Sequence, residues 1–161
     1  MEGEAGKRSI AVLGLGNRLY GDEGFGIAAL EEVKQALGEL PDVEYIDGGV
    51  LGLGLLPLVE SCTHLLVLDA NDAGATPGKV VDLDGADLPL ISLPKLSEHQ
   101  VGFQEVVALA KFRGHLPDHF RVLAVQPAWL EVGLELSPLV AGAMDEVIQR
   151  ARCILDTWNG C

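Results

Sequence analysis

Basic residues are scarce in this chain. Eleven Lys and Arg stand against 24 Asp and Glu, a formal net charge of −13 at pH 7 over 161 residues. The acidic excess is spread along the chain and not gathered in a tail. Nucleic acids and anionic membranes are gripped through basic patches, so neither is an expected partner. Cysteines are few and lack a pairing pattern: Cys62, Cys153 and Cys161 are an odd number with no Cys-x-x-Cys spacing. That argues against a cysteine-built zinc site and favours reduced thiols in a cytoplasmic protein. No uncharged apolar run approaches the ~20 residues of a membrane span. The opening Met-Glu-Gly-Glu-Ala-Gly-Lys-Arg has no positive region leading into a signal-like apolar segment. Repeats, low-complexity tracts and linkers are also missing, so residues 1–161 are expected to form one domain, with residues 1–8 as a flexible extension.

What is present is a hydrophobic content of 48%, enough for a sizeable core. Ile10 to Leu13 is an apolar run that passes into a glycine-rich turn. Apolar residues then recur at helical spacing through Ile27, Leu30, Val33 and Leu37, up to Gly38 and Pro41. Val43 to Ile46 reads as a short strand ending in Asp47-Gly48-Gly49, and Leu53 to Val59 as a short helix interrupted by Pro57, a residue tolerated only in a first turn. His64 to Leu68 is a continuous apolar run that stops at Asp69, which suits a strand buried on both faces. Lys79 to Leu83 reads as an edge strand, and Asp84 to Leu96, with Pro89 and Pro94, as a long loop. Ser97 with Gln100 has capping-box spacing ahead of Phe103, Val106, Val107 and Ala110 on one helical face, which Gly114 ends. Phe120 to Val125 is the last strand, closed by Gln126-Pro127. Ser137-Pro138 is expected to cap a final helix with Leu139, Ala143, Val147, Ala151 and Ile154 on its buried side. This β-α-β-α-β-β-α-β-α order predicts an α/β fold with a twisted, mostly parallel sheet and helices on both faces.

The first turn is where chemistry enters. Glycine-rich strand-to-helix loops usually cradle phosphate with backbone N–H groups. Here Gly14-x-Gly16 is followed by Leu19 where the dinucleotide fingerprint needs a third glycine, and Asp22 and Glu23 replace the Lys and Ser/Thr of a P-loop. Two carboxylates at that place repel phosphate and attract a cation. No Gly-x-Ser-x-Gly elbow exists, and Cys62 lies in a plain segment before a strand, which disfavours nucleophilic serine or cysteine hydrolysis. Ligands of open α/β sheets bind beyond the carboxyl ends of the strands. Glu23, Asp47 and Asp69 each follow a strand at that edge, and His99 in the first turn of the capped helix can reach it. Such a mixed carboxylate and imidazole set suits a divalent transition metal better than calcium or magnesium. Each residue also has an ordinary use. Glu23 can favour a helix N-terminus by ~0.3–1 kcal/mol. Asp47 can serve its turn, Asp69 can cap the next one, and His99 can be a capping or core histidine. His64 starts a strand at the opposite end, and His115 and His119 are expected in the solvated loop after Gly114.

Taken together, Gly14-Leu-Gly-Asn17, Gly21-Asp-Glu-Gly-Phe-Gly26, Asp47-Gly-Gly49, His64-Leu-Leu-Val-Leu-Asp69-Ala70, Pro77-Gly78, Ser97-Glu-His99-Gln100 and Gln126-Pro127 resemble the [NiFe]-hydrogenase maturation endopeptidases. The motifs run in order over nearly the whole chain, apart from the N-terminal extension and the tail of the last helix. The resemblance implies a five-stranded, phosphorylase/hydrolase-like sheet. It also implies removal of a C-terminal extension from a nickel-loaded large-subunit precursor; the single-domain size and the need to admit a protein tail lead us to expect a monomer, and the cysteine usage a cytoplasmic one. Glu23, Asp69 and His99 match the family's metal ligands and would act in catalysis. The nickel comes with the precursor, and zinc or cadmium could take its place in vitro. Asp47 is expected to orient the peptide. Val50 stands where the family usually has Thr, so a hydroxyl contact there is missing or replaced. Two other functions compete: a non-catalytic module that checks nickel loading, and a peptidyl-tRNA hydrolase, whose need for a basic, RNA-facing surface the net charge opposes.

Overall fold

The computed structural model describes residues 6–49, 51–90, 98–129 and 131–160, with the backbone alone for 89–90 and 98–101. The described strands are β1 (Ile10–Leu15), β2 (Val43–Gly49), β3 (His64–Ala70), β4 (Val80–Asp84) and β5 (His119–Val125). They form a five-stranded sheet in the order β2-β1-β3-β5-β4, parallel except for β4, which runs antiparallel along β5 at the edge. The described helices are α1 (Phe25–Leu37), α2 (Leu56–Ser61), α3 (Glu98–Phe112), α4 (Pro138–Ala141) and α5 (Met144–Trp158).

Successive strand residues face opposite sides of a sheet, so uninterrupted apolar strands need cover on both. On one face Ile10, Val12, Leu66 and Leu68 pack with Phe25, Leu30 and Val33 of α1 and Val147, Ala151 and Leu155 of α5. On the other, Ala11, Leu13, Leu65 and Val67 pack with Val59 of α2 and with the predicted stripe of α3, Phe103, Val106, Val107 and Ala110. From β1 the chain crosses through α1 to β2 on one side. It then crosses the opposite face through α2 and returns to β3 on the other side of β1. The two crossovers diverge between β1 and β3, and that divergence makes the carboxyl ends of these two strands the crevice of the sheet.

Gly26 in the first turn of α1 lets the helix reach that crevice. A Cβ there would lie 2.0 Å from the Leu15 carbonyl oxygen and 2.4 Å from that of Leu68. Gly38 ends α1 as expected, with φ 69° and its N–H bonded to the Lys34 carbonyl at 2.8 Å. Pro57 sits in the first turn of α2.

Several expectations are corrected. β2 continues through Asp47 to Gly49, with Asp47 opposite Gly14, because a register shift between Gly14 and Leu15 lets the pairing run on. β3 likewise includes Asp69. The expected loop after Asp84 begins as a 3-10 turn over Gly85–Leu90; residues 91–97, with the proposed Ser97 cap, and Val50 lie outside the described residues. His119 is the first residue of β5 and not a loop residue: its ring stacks on His64, centroids 4.4 Å apart, at the amino end of the sheet. The C-terminal helix is two helices. Ala143 N–H bonds to the Val140 carbonyl, a tight i to i−3 turn that shifts the helical phase. Val140 is therefore buried, and Leu139, expected inside, is exposed.

Adding a methyl at Gly26 meets backbone on two strands, which cannot give way as a flexible side chain would. Gly26→Ala is expected to lower unfolding free energy by about 1–3 kcal/mol or more, measured by urea denaturation. Burial pushes the Cys62 thiol up to about 11. At about pH 8, iodoacetamide should therefore modify exposed Cys153 and spare Cys62 in the native protein, read by peptide mass spectrometry.

Candidate active site

The loop between β1 and α1 is built around backbone constraints. Gly16 adopts φ 141°, and a Cβ there would fall 1.9 Å from the Glu23 carbonyl oxygen. That oxygen accepts the Asn17 N–H at 3.1 Å, while Glu23 N–H donates to the Tyr20 carbonyl at 3.2 Å. The Asn17 side chain accepts the Leu19 N–H at 2.9 Å. Glu23 thus sits in a 3-10 turn, Gly21–Gly24, that leads directly into α1.

The adjacent acids separate by role. Asp22 is fully buried and its carboxylate accepts four hydrogen bonds: from the backbone N–H groups of Ala128 (2.8 Å), Trp129 (2.7 Å) and Ser137 (2.7 Å), and from the Ser137 hydroxyl (2.8 Å). Charge-assisted bonds of this kind are the strong ones, and they leave Asp22 with a structural task. Ser137 does start α4, but its hydroxyl serves Asp22 and makes no helix cap.

Glu23, at 6% exposure, and Asp69, at 7%, belong to the carboxyl ends of the neighbouring strands β1 and β3. Gly26 joins the two elements: a Cβ on it would fall 3.1 Å from the Asp69 Cα. Asp69 Oδ1 accepts the Ala70 N–H at 2.8 Å. Burial holds the Asp69 carboxyl well above the usual carboxylate range; the Ala70 hydrogen bond works against the rise, and the Glu23 charge adds to it. The two acids therefore feel each other across the crevice, where a cation would relieve both burial and repulsion.

The other predicted residues fall as follows. Asp47 is exposed on β2 at the same sheet edge, near enough to Arg18 for its charge to help raise the guanidinium, whose main partner is Glu31. His99 lies in the first turn of α3, and its imidazole lies outside the described side chains. Among the described residues no three His, Cys, Asp or Glu side chains come together as a metal-binding group.

Two polar residues at this edge carry little signal in the sequence. Asn71 is buried beside Asp69 along a narrow cavity that Val67, Leu88 and Phe103 also line, and its Oδ1 has no hydrogen-bond partner among the described residues. Its signal is only its place two residues beyond Asp69. Gln126, which the sequence marks as a strand end and as part of the Gln126-Pro127 motif without assigning it a role, is buried. Its Oε1 accepts the N–H groups of Ala73 (2.8 Å) and Ala75 (3.1 Å), and its Nε2 donates to Asp72 at 3.0 Å, so it clamps the loop after β3.

Fold and edge together define a class: an open, mostly parallel α/β protein whose switch-point crevice carries buried carboxylates where related sheets bind phosphate. Residues 27–153 match the family model described as hydrogenase maturation protease, and the chain belongs to that family. The hydrogenase expression/formation protein HupD of Rhodobacter capsulatus is 40% identical over 152 residues, which cover 93% of this chain and 72% of the relative. The hydrogenase 2 maturation protease of Escherichia coli K12 is 32% identical over 148 residues, covering 91% and 90%. The solved structure of the hydrogenase maturating endopeptidase HybD from E. coli superposes with a TM-score of 0.84 at 31% identity, over 92% of this chain and 93% of that one.

Replacing Asp22 by Ala leaves three buried or half-buried backbone donors and one hydroxyl without their acceptor. Unsatisfied buried donors cost ~1–3 kcal/mol each before relaxation, so Asp22→Ala should destabilise by several kcal/mol in urea unfolding, whereas Ser137→Ala should cost only about 1 kcal/mol.

Proposed function

We propose that this chain is an endopeptidase that removes the C-terminal extension of a [NiFe]-hydrogenase large-subunit precursor, and that Glu23, Asp69 and His99 grip the nickel that the precursor carries. The observation behind it is the placement of Glu23 and Asp69: two nearly buried acids, one in the turn that follows β1 and one at the end of β3, coupled in charge, at the switch point of a maturation-protease fold. An acidic pair so desolvated favours a cationic occupant. His99, at a helix N-terminus that disfavours imidazolium, is suited to complete the donor set as a neutral ring. A precursor without nickel would then offer these residues nothing to hold.

In hydrolysis the chain's own part is to bind and orient. A carboxylate at this edge accepts a proton from the attacking water and returns it to the leaving amine. Asp47, exposed on the neighbouring strand, would align the peptide and not the metal. The unpaired thiols of Cys62 and Cys153 accord with action in the cytoplasm. A single chain carries all these groups, which supports action as a monomer.

The test is cleavage of the nickel-loaded precursor, followed as a size decrease of the large subunit on gels. Glu23→Gln, Asp69→Asn and His99→Ala should each lower the rate by about 10²-fold or more, the range of a lost acid–base or positioning group. Wild-type rates in all three would defeat the site assignment. Binding of the loaded precursor without any cleavage would favour a checkpoint module. Asp47→Ala should slow cleavage while affinity for nickel, or for zinc or cadmium as substitutes, stays nearly unchanged; a large loss of metal affinity would refute its peptide role.

A further inference from the structure

Beside Glu23 the surface changes character. Trp129 and Gly133 are drawn against residues 19–22 by backbone bonds. Gly133 N–H donates to the Leu19 carbonyl at 2.8 Å, Gly21 N–H to that of Gly133 at 2.8 Å, and Asp22 N–H to that of Trp129 at 2.9 Å. They enclose a cleft of about 610 Å³ to which Gly21, Trp129, Glu131, Val132, Leu134 and Glu135 contribute. Its apolar walls stand in water: Val132 is 81% exposed and Leu134 77%, with Trp129 and the adjoining Leu19 more than half exposed. Each alone would be ordinary, but grouped around a cleft they have the make-up of a surface that a partner covers.

The rim decides what kind of partner. Glu131 and Glu135 supply carboxylates, and the sequence contains no Lys or Arg between Arg121 and Arg150. Arg18, on the neighbouring loop, is engaged with Glu31. A second copy of this chain would bring the same acidic rim and the same net charge of −13, and would be repelled. A polypeptide whose large apolar side chains are flanked by Lys or Arg complements both walls and rim. Gly21, two residues before Glu23, lines the cleft, so a chain seated there continues onto the Glu23–Asp69 edge. We propose that this cleft docks a basic and apolar segment of the precursor next to the bond that is cut. The inference rests on the protease reading above.

Binding and cutting are measured separately, with fluorescently labelled, nickel-loaded precursor followed by anisotropy and by gel. E131K/E135K and V132S/L134S alter only side chains on the cleft surface, and far-UV circular dichroism checks that both fold. Each should raise Kd by about tenfold or more, as loss of interface anchors does. The effect of the charge pair should shrink as NaCl rises from about 50 to 500 mM, because screening already weakens wild-type binding. E131Q/E135Q should fall between wild type and the reversal. Wild-type Kd in both variants, while wild type cuts, would overturn the cleft and spare the protease reading. Tight binding by wild type without cutting, weakened in the variants, would do the reverse. Absence of both binding and cutting would overturn both.

Discussion

The Asp22 carboxylate is the interaction on which the functional edge depends. Its four acceptor contacts join the first loop to a segment more than a hundred residues later, and the chain beyond β5 is folded back over the strand ends by them. The same turn then presents Glu23 toward the crevice, since neighbouring residues in a 3-10 turn point in different directions. A pair of adjacent acids thus divides into one fixed by four donors and one placed beside Asp69 at the crevice. The division follows from which partners each meets, since the residue types are nearly equivalent.

The electrostatics of the crevice follow from this arrangement. Burying a carboxylate is unfavourable unless it finds donors or a counter-charge. Asp22 finds donors in quantity. Burial raises the Asp69 carboxyl; the Ala70 N–H offsets part of that rise, and the neighbouring Glu23 adds to it. A cation would relieve such an imbalance, whereas a phosphate would add to it. The proposed docking of a basic polypeptide in the acidic apolar cleft alongside extends the same logic outward from the strand ends.

Much of this was legible from residue order. Uninterrupted apolar runs at Ile10 and His64 required a sheet covered on both faces, and the helical stripe from Phe103 to Ala110 required one of the covers. Strand ends at Glu23 and Asp69 then fell on one edge by topology alone. The family likeness matched the same residues, and the structure places Glu23 in the turn after β1 and Asp69 at the end of the adjacent β3. Less legible were features set by distant partners. Ser137 had the look of a helix cap, yet its hydroxyl belongs to Asp22. Leu139 had the spacing of a buried position, yet the tight turn at Ala143 rotates it outward. His119 gave no hint that it would stack on His64.

The sequence by itself determined the layers, the order of the strands along the chain and the acidic character of the crevice, because these depend on local periodicity and on which residues follow the apolar runs. Only the tertiary structure decided which partners hold Asp22, that Asn71 and Gln126 sit at the margin of the crevice, and that Trp129, Val132 and Leu134 gather around an acidic cleft. Those outcomes depend on contacts between residues far apart in the chain, such as the 115 that separate Asp22 from Ser137. No local pattern records them.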